Sequence, residues 1–368
     1  MDVAARFLDK SGIKALIAQL QGEGYRCFGP REQHGAIVFD ELSGAEDLPR
    51  GVIDDQQPGA YRLRHTDNGF YFAHTTCAQG IKPYLFAPHE PLWQSVRDEQ
   101  GTLQFRSCHP PQRPIALIGP RACDLQAMVI QDRHFLESGR TDPYYQARRA
   151  QLFIVGVQCT RSGASCFCNS TGDGPYIQQG DDLRLTETDA GFVVQAGSER
   201  GARLMEALPV REVDAAQLAQ AEARVDQAAI QQRALPSVNL EGALFNNLDH
   251  PRWQEVAKRC LSCANCTSVC PTCFCYREED EAALAGDESA RVRQWDSCFT
   301  QPHSYIHGIT IRAETPQRYR QWLTHKLGSW HSQYGRSGCT GCGRCITWCP
   351  TGIDITEEAN VICADESA

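Results

Sequence analysis

Nineteen cysteines in 368 residues are the first feature that could do chemistry, and eleven of them lie between Cys260 and Cys349. One run reads Cys260-Leu-Ser-Cys263-Ala-Asn-Cys266-Thr-Ser-Val-Cys270-Pro271, and a second reads Cys339-Thr-Gly-Cys342-Gly-Arg-Cys345-Ile-Thr-Trp-Cys349-Pro350. Both follow C-x2-C-x2-C-x3-C-P, the spacing of bacterial ferredoxins. Three thiolates two residues apart wrap the corners of one 4Fe–4S cubane, and the fourth cysteine opens a segment leading to the other cluster. Proline after that cysteine fixes the backbone and supplies no N–H. The expected ligands are Cys260, Cys263, Cys266 and Cys349 for one 4Fe–4S cluster, and Cys270, Cys339, Cys342 and Cys345 for the other. A zinc site would pair two C-x2-C knuckles across a longer loop. Disulfides are disfavoured by an odd cysteine count in a large chain without an evident export signal.

Four further cysteines suggest a third centre. Cys123 follows an apolar run at 114–118. Cys159, Cys166 and Cys168 follow another at 152–157. Ligands of open α/β sheets bind beyond the carboxyl ends of strands, so adjacent strands would bring these four thiols to one edge. Four is the number a cubane needs, and a possible third 4Fe–4S cluster is expected here; structural zinc or plain buried thiols are the alternatives. Cys273, Cys275 and Cys298 are ambiguous. They could line the cluster pocket as small apolar side chains, the favoured expectation. They could also ligate a further centre, with Asp296 beside them. Cys27, Cys77, Cys108 and Cys363 stand outside any metal pattern and read as ordinary thiols.

The elements that must position these thiols divide into two styles. Ile13, Leu16, Ile17 and Leu20 recur at helical spacing and predict a helix over 11–22. Strands are expected at 36–39, 61–63, 114–118 and 152–157. The last two are continuous apolar runs, as strands buried on both faces should be. A helix is expected over 124–136 and a hairpin over 183–194, turning at 188–191. Residues 213–234 are rich in Ala and Gln and predict a connector helix. From Trp253 onward the chain reads as mostly helical. Tyr319, Trp322, Leu323, Leu327 and Trp330 make one apolar stripe that ends at Gly335, a residue suited to a helix C-cap. The fold class is therefore α+β: a mixed α/β domain over 1–212 with the candidate cysteine cluster, a connector and linker over 213–240, and a helical dicluster ferredoxin-like domain over 241–368. The wide separation of Cys270 from Cys339 favours the helical dicluster type over the compact β-hairpin ferredoxin.

A composition of 42% hydrophobic and 22% charged residues excludes extensive disorder, and a net charge of −9 argues against a nucleic-acid partner. No apolar run approaches the roughly 20 residues that span a bilayer. With no secretory pattern at Met1–Arg6, a cytoplasmic protein is expected, held at a membrane only through partners. No G-x-G-x-x-G or G-x-x-x-x-G-K-[ST] motif is present, so no nucleotide, flavin or other cofactor pocket and no catalytic residue is identified. His303 and His307 form no convincing metal pattern. Two one-electron clusters in series link a two-electron site to one-electron partners, so electron transfer between other subunits is the expected role.

The segments Arg121-Ala-Cys-Asp-Leu125, Cys159…Cys166-Phe-Cys168, Cys270-Pro-Thr-Cys-Phe-Cys275, Trp295-Asp-Ser-Cys-Phe299 and Arg344-Cys-Ile-Thr-Trp-Cys-Pro350 resemble, in order and over nearly the whole chain, the iron–sulfur beta subunit of soluble NiFe hydrogenases, or sulfhydrogenases. The A subunit of anaerobic sulfite reductase is related. The resemblance implies a cytoplasmic complex in which a flavin subunit exchanges electrons with NAD(P)H, and a beta subunit carries them to a NiFe hydrogenase site in other chains. In the sulfite branch the far end is a sirohaem subunit, and sulfur or polysulfide reduction belongs to the same range. A third possibility is an oxidoreductase with its own flavin in the N-terminal domain.

Overall fold

The computed structural model describes residues 4–110, 113–283 and 288–364. Its largest sheet has eight strands in the order Arg211–Glu212, Arg6–Asp9, Gly191–Ala196, Leu183–Glu187, Leu152–Val157, Ile115–Ile118, Arg26–Gln33 and Ala36–Glu41. The neighbours from Leu183–Glu187 to Arg26–Gln33 pair in parallel, and those outside them pair antiparallel. Every residue of Leu152–Val157 is buried, in keeping with its unbroken apolar sequence. Parallel pairing of Ile115–Ile118 with Leu152–Val157 demands a crossover, which runs through the helices Ala122–Leu136 and Pro143–Ala150. Cys123 sits in the first turn of the crossover helix and Cys159 just past the second strand. The helix Gly12–Gly22 buries the expected Ile13, Leu16, Ile17 and Leu20. The hairpin of Leu183–Glu187 and Gly191–Ala196, and the helix Ala215–Ala229, also stand where the sequence placed them.

One expectation is corrected. The segment after Trp253 is not simply helical, because Tyr276–Ala282 and Glu288–Trp295 form an antiparallel pair. That pair joins His89–Arg97 and Leu103–Ser107 in a four-stranded sheet. Tyr-Arg-Glu-Glu-Asp-Glu-Ala gives no apolar alternation, so its sequence carries no strand signal. It is an edge strand, where charges are favoured because they discourage further pairing. Arg291 on the neighbouring strand pairs with Glu278 and Asp280.

The helix expected from the apolar stripe is present but broken. Thr315–Thr324 runs into a π-type turn at His325–Ser329, then Trp330–Tyr334, and ends at Gly335 with φ 69°. The five stripe residues are buried. Tyr319, Trp322, Leu323 and Leu327 form one core with Trp253, Phe299, Ile353 and Ile355 around the two cysteine runs, and Trp330 packs against Phe274. The extra residue of a π-turn rotates the side chains that follow it. Here it aims Lys326 inward at Cys270.

Candidate metal centres

The sequence repeat is also a conformational repeat. Ser262 and Ala264 have φ of 51° and 65°, and the matching Gly341 and Gly343 have 63° and 75°. Left-handed backbone at a non-glycine residue costs about 1–2 kcal/mol, so the first run carries strain that the second avoids. These turns point amides at sulfur: Ser262 N–H donates to Cys260 Sγ and Gly341 N–H to Cys339 Sγ, both at 3.4 Å. A one-turn helix follows each, Asn265–Ser268 and Arg344–Thr347. A threonine then lies beside each fourth cysteine, with Thr272 Oγ1 3.2 Å from Cys270 Sγ and Thr351 Oγ1 3.5 Å from Cys349 Sγ. The Asn265 amide donates to Trp348 O and ties one run to the other.

The fourth cysteines face across. Cys260, Cys263, Cys266 and Cys349 line one cavity with Cys345, walled by Phe299, Tyr319, Trp322, Ile353 and Ile355. Cys349 is an electrostatic neighbour of Cys260 and Cys266. Cys270 is a neighbour of Cys339, Cys342 and Cys345. Burial pushes the thiols of Cys266, Cys339 and Cys345 up, which keeps them neutral until a metal displaces the proton. Cys270 is the exception. A hydrogen bond from Cys273, with Lys326 close by, holds its thiol well below the ordinary value despite burial. Lys326 Nζ is 3.6 Å from Cys270 Sγ and donates to Thr272 Oγ1 at 2.8 Å.

The N-terminal half encloses the second run. Thr76 Oγ1 donates to Cys342 O at 3.3 Å, and Gly59 N–H to Ile346 O at 3.1 Å. Tyr61 stacks on Trp348 with ring centres 4.9 Å apart. Arg344, whose side chain is wholly buried, donates to Cys77 O at 2.7 Å and pairs with Asp124 at 2.8 Å. Asp124 directly follows Cys123, and this one ion pair locks the crossover helix onto the second run. Cys123 and Cys168 pack against Cys342. Cys166 and Cys168 have Cys159 as an electrostatic neighbour, so the four N-terminal thiols share one region against Cys342. Burial raises the thiols of all four, that of Cys168 to about 12. Among the described residues, no three His, Cys, Asp or Glu side chains converge closely enough to hold a single metal ion.

The contact between the 163–168 loop and the second run is made by backbone. Phe167 N–H donates to Gly341 O at 2.9 Å. A Cβ on Gly341 would stand 2.4 Å from Cys168 Cα, and one on Gly343 2.4 Å from Ser165 O. Gly341→Ala should therefore lower stability by about 2–5 kcal/mol, combining overpacking with left-handed strain. A thermal melt should show a clearly lower midpoint, and an unchanged midpoint would mean that this close approach is not needed.

Cys273 lies beside Cys270, and Cys298 has Cys275 as a neighbour. Asp296 N–H donates to Cys275 O at 2.9 Å. Cys27 and Cys77 are buried in apolar clusters, and Cys108 is half-buried. His303 Nδ1 lies 3.3 Å from Asp296 and serves that loop. Sequence reasoning missed the cations at these sites. Arg121 is 2% exposed and donates to the carbonyls of Phe72, His74 and Gln158 beside Cys159. Lys82 and Lys326 are 4% and 3% exposed. An Arg or Lys next to a cysteine motif was the only available signal, and for Lys82 even that was absent.

The profile of the 4Fe–4S dicluster domain family matches residues 259–353. The chain is 32% identical over 335 residues to sulfhydrogenase 2 subunit beta of Pyrococcus furiosus, covering 89% of this chain and 90% of that one. No solved structure matches the chain. Among the described residues, no helix is long and apolar enough to cross a membrane.

Proposed function

Because the chain belongs to the family of sulfhydrogenase beta subunits, we propose that it carries electrons through 4Fe–4S clusters between a flavin subunit that exchanges electrons with NAD(P)H and the NiFe catalytic module of a cytoplasmic hydrogenase complex. The observation that carries this reading is the crossed pair of cysteine runs. Cys349 faces the first run and Cys270 the second, so two clusters would share one core and pass electrons along it. Cluster one would be held by Cys260, Cys263, Cys266 and Cys349, and cluster two by Cys270, Cys339, Cys342 and Cys345. When bound, they would supply one-electron storage at potentials set by burial and hydrogen bonds to sulfur.

The two ends differ. Cys263 is exposed, giving cluster one a face toward solvent. Leu261 beside Ser262 is exposed, as are Tyr305, Ile306, Ile309 and Ile311 of the segment leading to Thr315, which contacts Ser262 at 3.0 Å. Exposed apolar surface of this kind suits contact with the electron-exchanging partner. Cluster two would be enclosed, with Cys123, Cys159, Cys166 and Cys168 behind Cys342 as ligands of a third 4Fe–4S cluster. The buried Arg121 supports that assignment, because its guanidinium meets carbonyls and a cluster with four thiolates is anionic. Cys166→Ser should lower iron by about four atoms per chain while the two-run clusters persist. Undiminished iron would remove the third centre from the account.

The partner assignment is tested by purifying the native complex through a tag on this chain. Co-purification of flavin and NiFe subunits with hydrogen uptake is the expected result. A sirohaem subunit with sulfite reduction would transfer the same electron-carrying role to the sulfite branch.

A further inference from the structure

Two buried lysines, Lys326 and Lys82, face one cysteine of the second ligand set. Among the described residues their polar contacts are with sulfur, hydroxyl and carbonyl, and none is with a carboxylate. Lys326 Nζ lies 3.6 Å from Cys270 Sγ and donates to Thr272 Oγ1 at 2.8 Å. Lys82 Nζ donates to Ser268 O at 3.0 Å and Thr267 O at 3.4 Å, and lies 3.6 Å from the centre of the Trp295 ring. The two ammoniums are also electrostatic neighbours of each other. A buried charge without a counter-charge is costly by several kcal/mol, and a like charge nearby adds to the cost. Such a pair is tolerated where an anion stands beside both. The residues that both lysines neighbour are Cys270 and Cys273.

The first ligand set has no such cations. Among the described residues, no Lys, Arg or His lines the cavity of Cys260, Cys263, Cys266 and Cys349, whose walls are aromatic and aliphatic. Beside Tyr319 of that wall lies Glu358. It belongs to a group of charges in which Arg252 and Arg259 meet Glu255, Glu357 and Glu358, without surplus positive charge. At the second set, Arg344 is matched by Asp124, and the two lysines are the surplus. They arrive from opposite halves of the chain. The π-turn at His325–Ser329 brings Lys326. Lys82 begins the short helix Lys82–Leu85 of the N-terminal half. The asymmetry therefore exists only when both halves are docked.

We propose that Lys326 and Lys82 are the residues that order the two potentials, raising that of the cluster held by Cys270, Cys339, Cys342 and Cys345 above that of the cluster held by Cys260, Cys263, Cys266 and Cys349. Reduction adds one negative charge, and fixed positive charge in a buried site favours it with little screening. The contact of Lys326 with Cys270 sulfur acts in the same direction, since potentials follow net charge and hydrogen bonds to sulfur. One electron entering at the exposed Cys263 end from the flavin partner then moves inward. The first cluster is reoxidised, the second is reduced by one electron, and the electron rests on the enclosed side. This inference rests on the reading that the two runs hold clusters, and the test separates the two.

The experiment is a redox titration of the native complex, purified anaerobically and followed by electron paramagnetic resonance, with iron per chain measured alongside. Wild type is compared with Cys345→Ser, Lys326→Met, Lys82→Met and the double lysine variant. Cys345→Ser should lose about four iron atoms and, with them, the higher-potential of the two centres. Undiminished iron there would remove the two-cluster reading and this inference with it. Loss of the lower-potential centre would overturn the inference alone. Each lysine variant should move the centre that Cys345→Ser lacks to a more negative potential, the double variant moving it furthest, while the other centre stays in place. At a poise that half-reduces this centre in wild type, Lys326→Met should leave it reduced in about a tenth of the molecules or fewer. An unmoved titration, or an equal shift of both centres, would overturn the proposal. Should Lys326→Met lose iron, Lys82→Met, which touches no sulfur, gives the same decision, and the wild-type order decides without any lysine variant.

Discussion

Replacing Cys270 with serine is expected to destroy the cluster anchored at Cys339, Cys342 and Cys345, and to leave the cluster anchored at Cys260, Cys263 and Cys266. A reading by proximity in sequence says the reverse, since Cys270 stands four residues from Cys266. The geometry favours the exchange. Cys270 adjoins Cys339, Cys342 and Cys345, and its thiol is held low by the hydrogen bond from Cys273 and the Lys326 ammonium. Lys326 reaches it because the π-turn at His325–Ser329 redirects the helix. Cys349 takes the complementary place beside Cys260 and Cys266. Cys270→Ser and Cys349→Ser should each lose about four iron atoms, but different ones. Spectra of the two reduced variants should add up to the two-run signal of the wild type. Identical residual spectra would contradict the exchange of ligands.

Arg344→Met is the second substitution with a large expected effect, and it acts on stability. Arg344 and Asp124 have side-chain exposures of 0% and 1% and meet at 2.8 Å. Truncating the cation leaves the Asp124 carboxylate buried beside thiols with no counter-charge. Breaking a buried pair in this way costs about 3–5 kcal/mol. Arg344 also donates to Cys77 O, and that carbonyl loses its partner as well. The loss should appear in denaturant unfolding as a lower midpoint and earlier bleaching of the clusters. Arg344→Met combined with Asp124→Leu should recover much of it, because two apolar groups of similar shape replace a pair whose desolvation was expensive. A single variant as stable as the wild type would show that the pair does not hold the two halves together.

These residues show how far the sequence could be read. The cysteine runs were legible because one cluster needs its ligands at fixed spacing, and that spacing is local. The strands at 115–118 and 152–157 were legible because burial on both faces leaves an unbroken apolar run. The strand pair Tyr276–Ala282 and Glu288–Trp295 was not, because an edge strand stabilised by cross-strand charges reads as solvent-exposed chain. Lys82 and Asp124 were not, because their partners come from far away in sequence: Asp124 lies 220 residues from Arg344, and Lys82 185 residues from Thr267. The glycines at 341 and 343 look like ordinary motif residues until the 163–168 loop is seen to rest on them.

The central claim, that this chain is the path between two catalytic ends, is tested most directly by electron flow in the native complex carrying Cys345→Ser. NAD(P)-linked hydrogen turnover should fall to the background rate, while dye-linked reactions at the flavin end and at the NiFe end continue at wild-type rates. Undiminished linked turnover in a complex shown by iron content to lack the second cluster would contradict it.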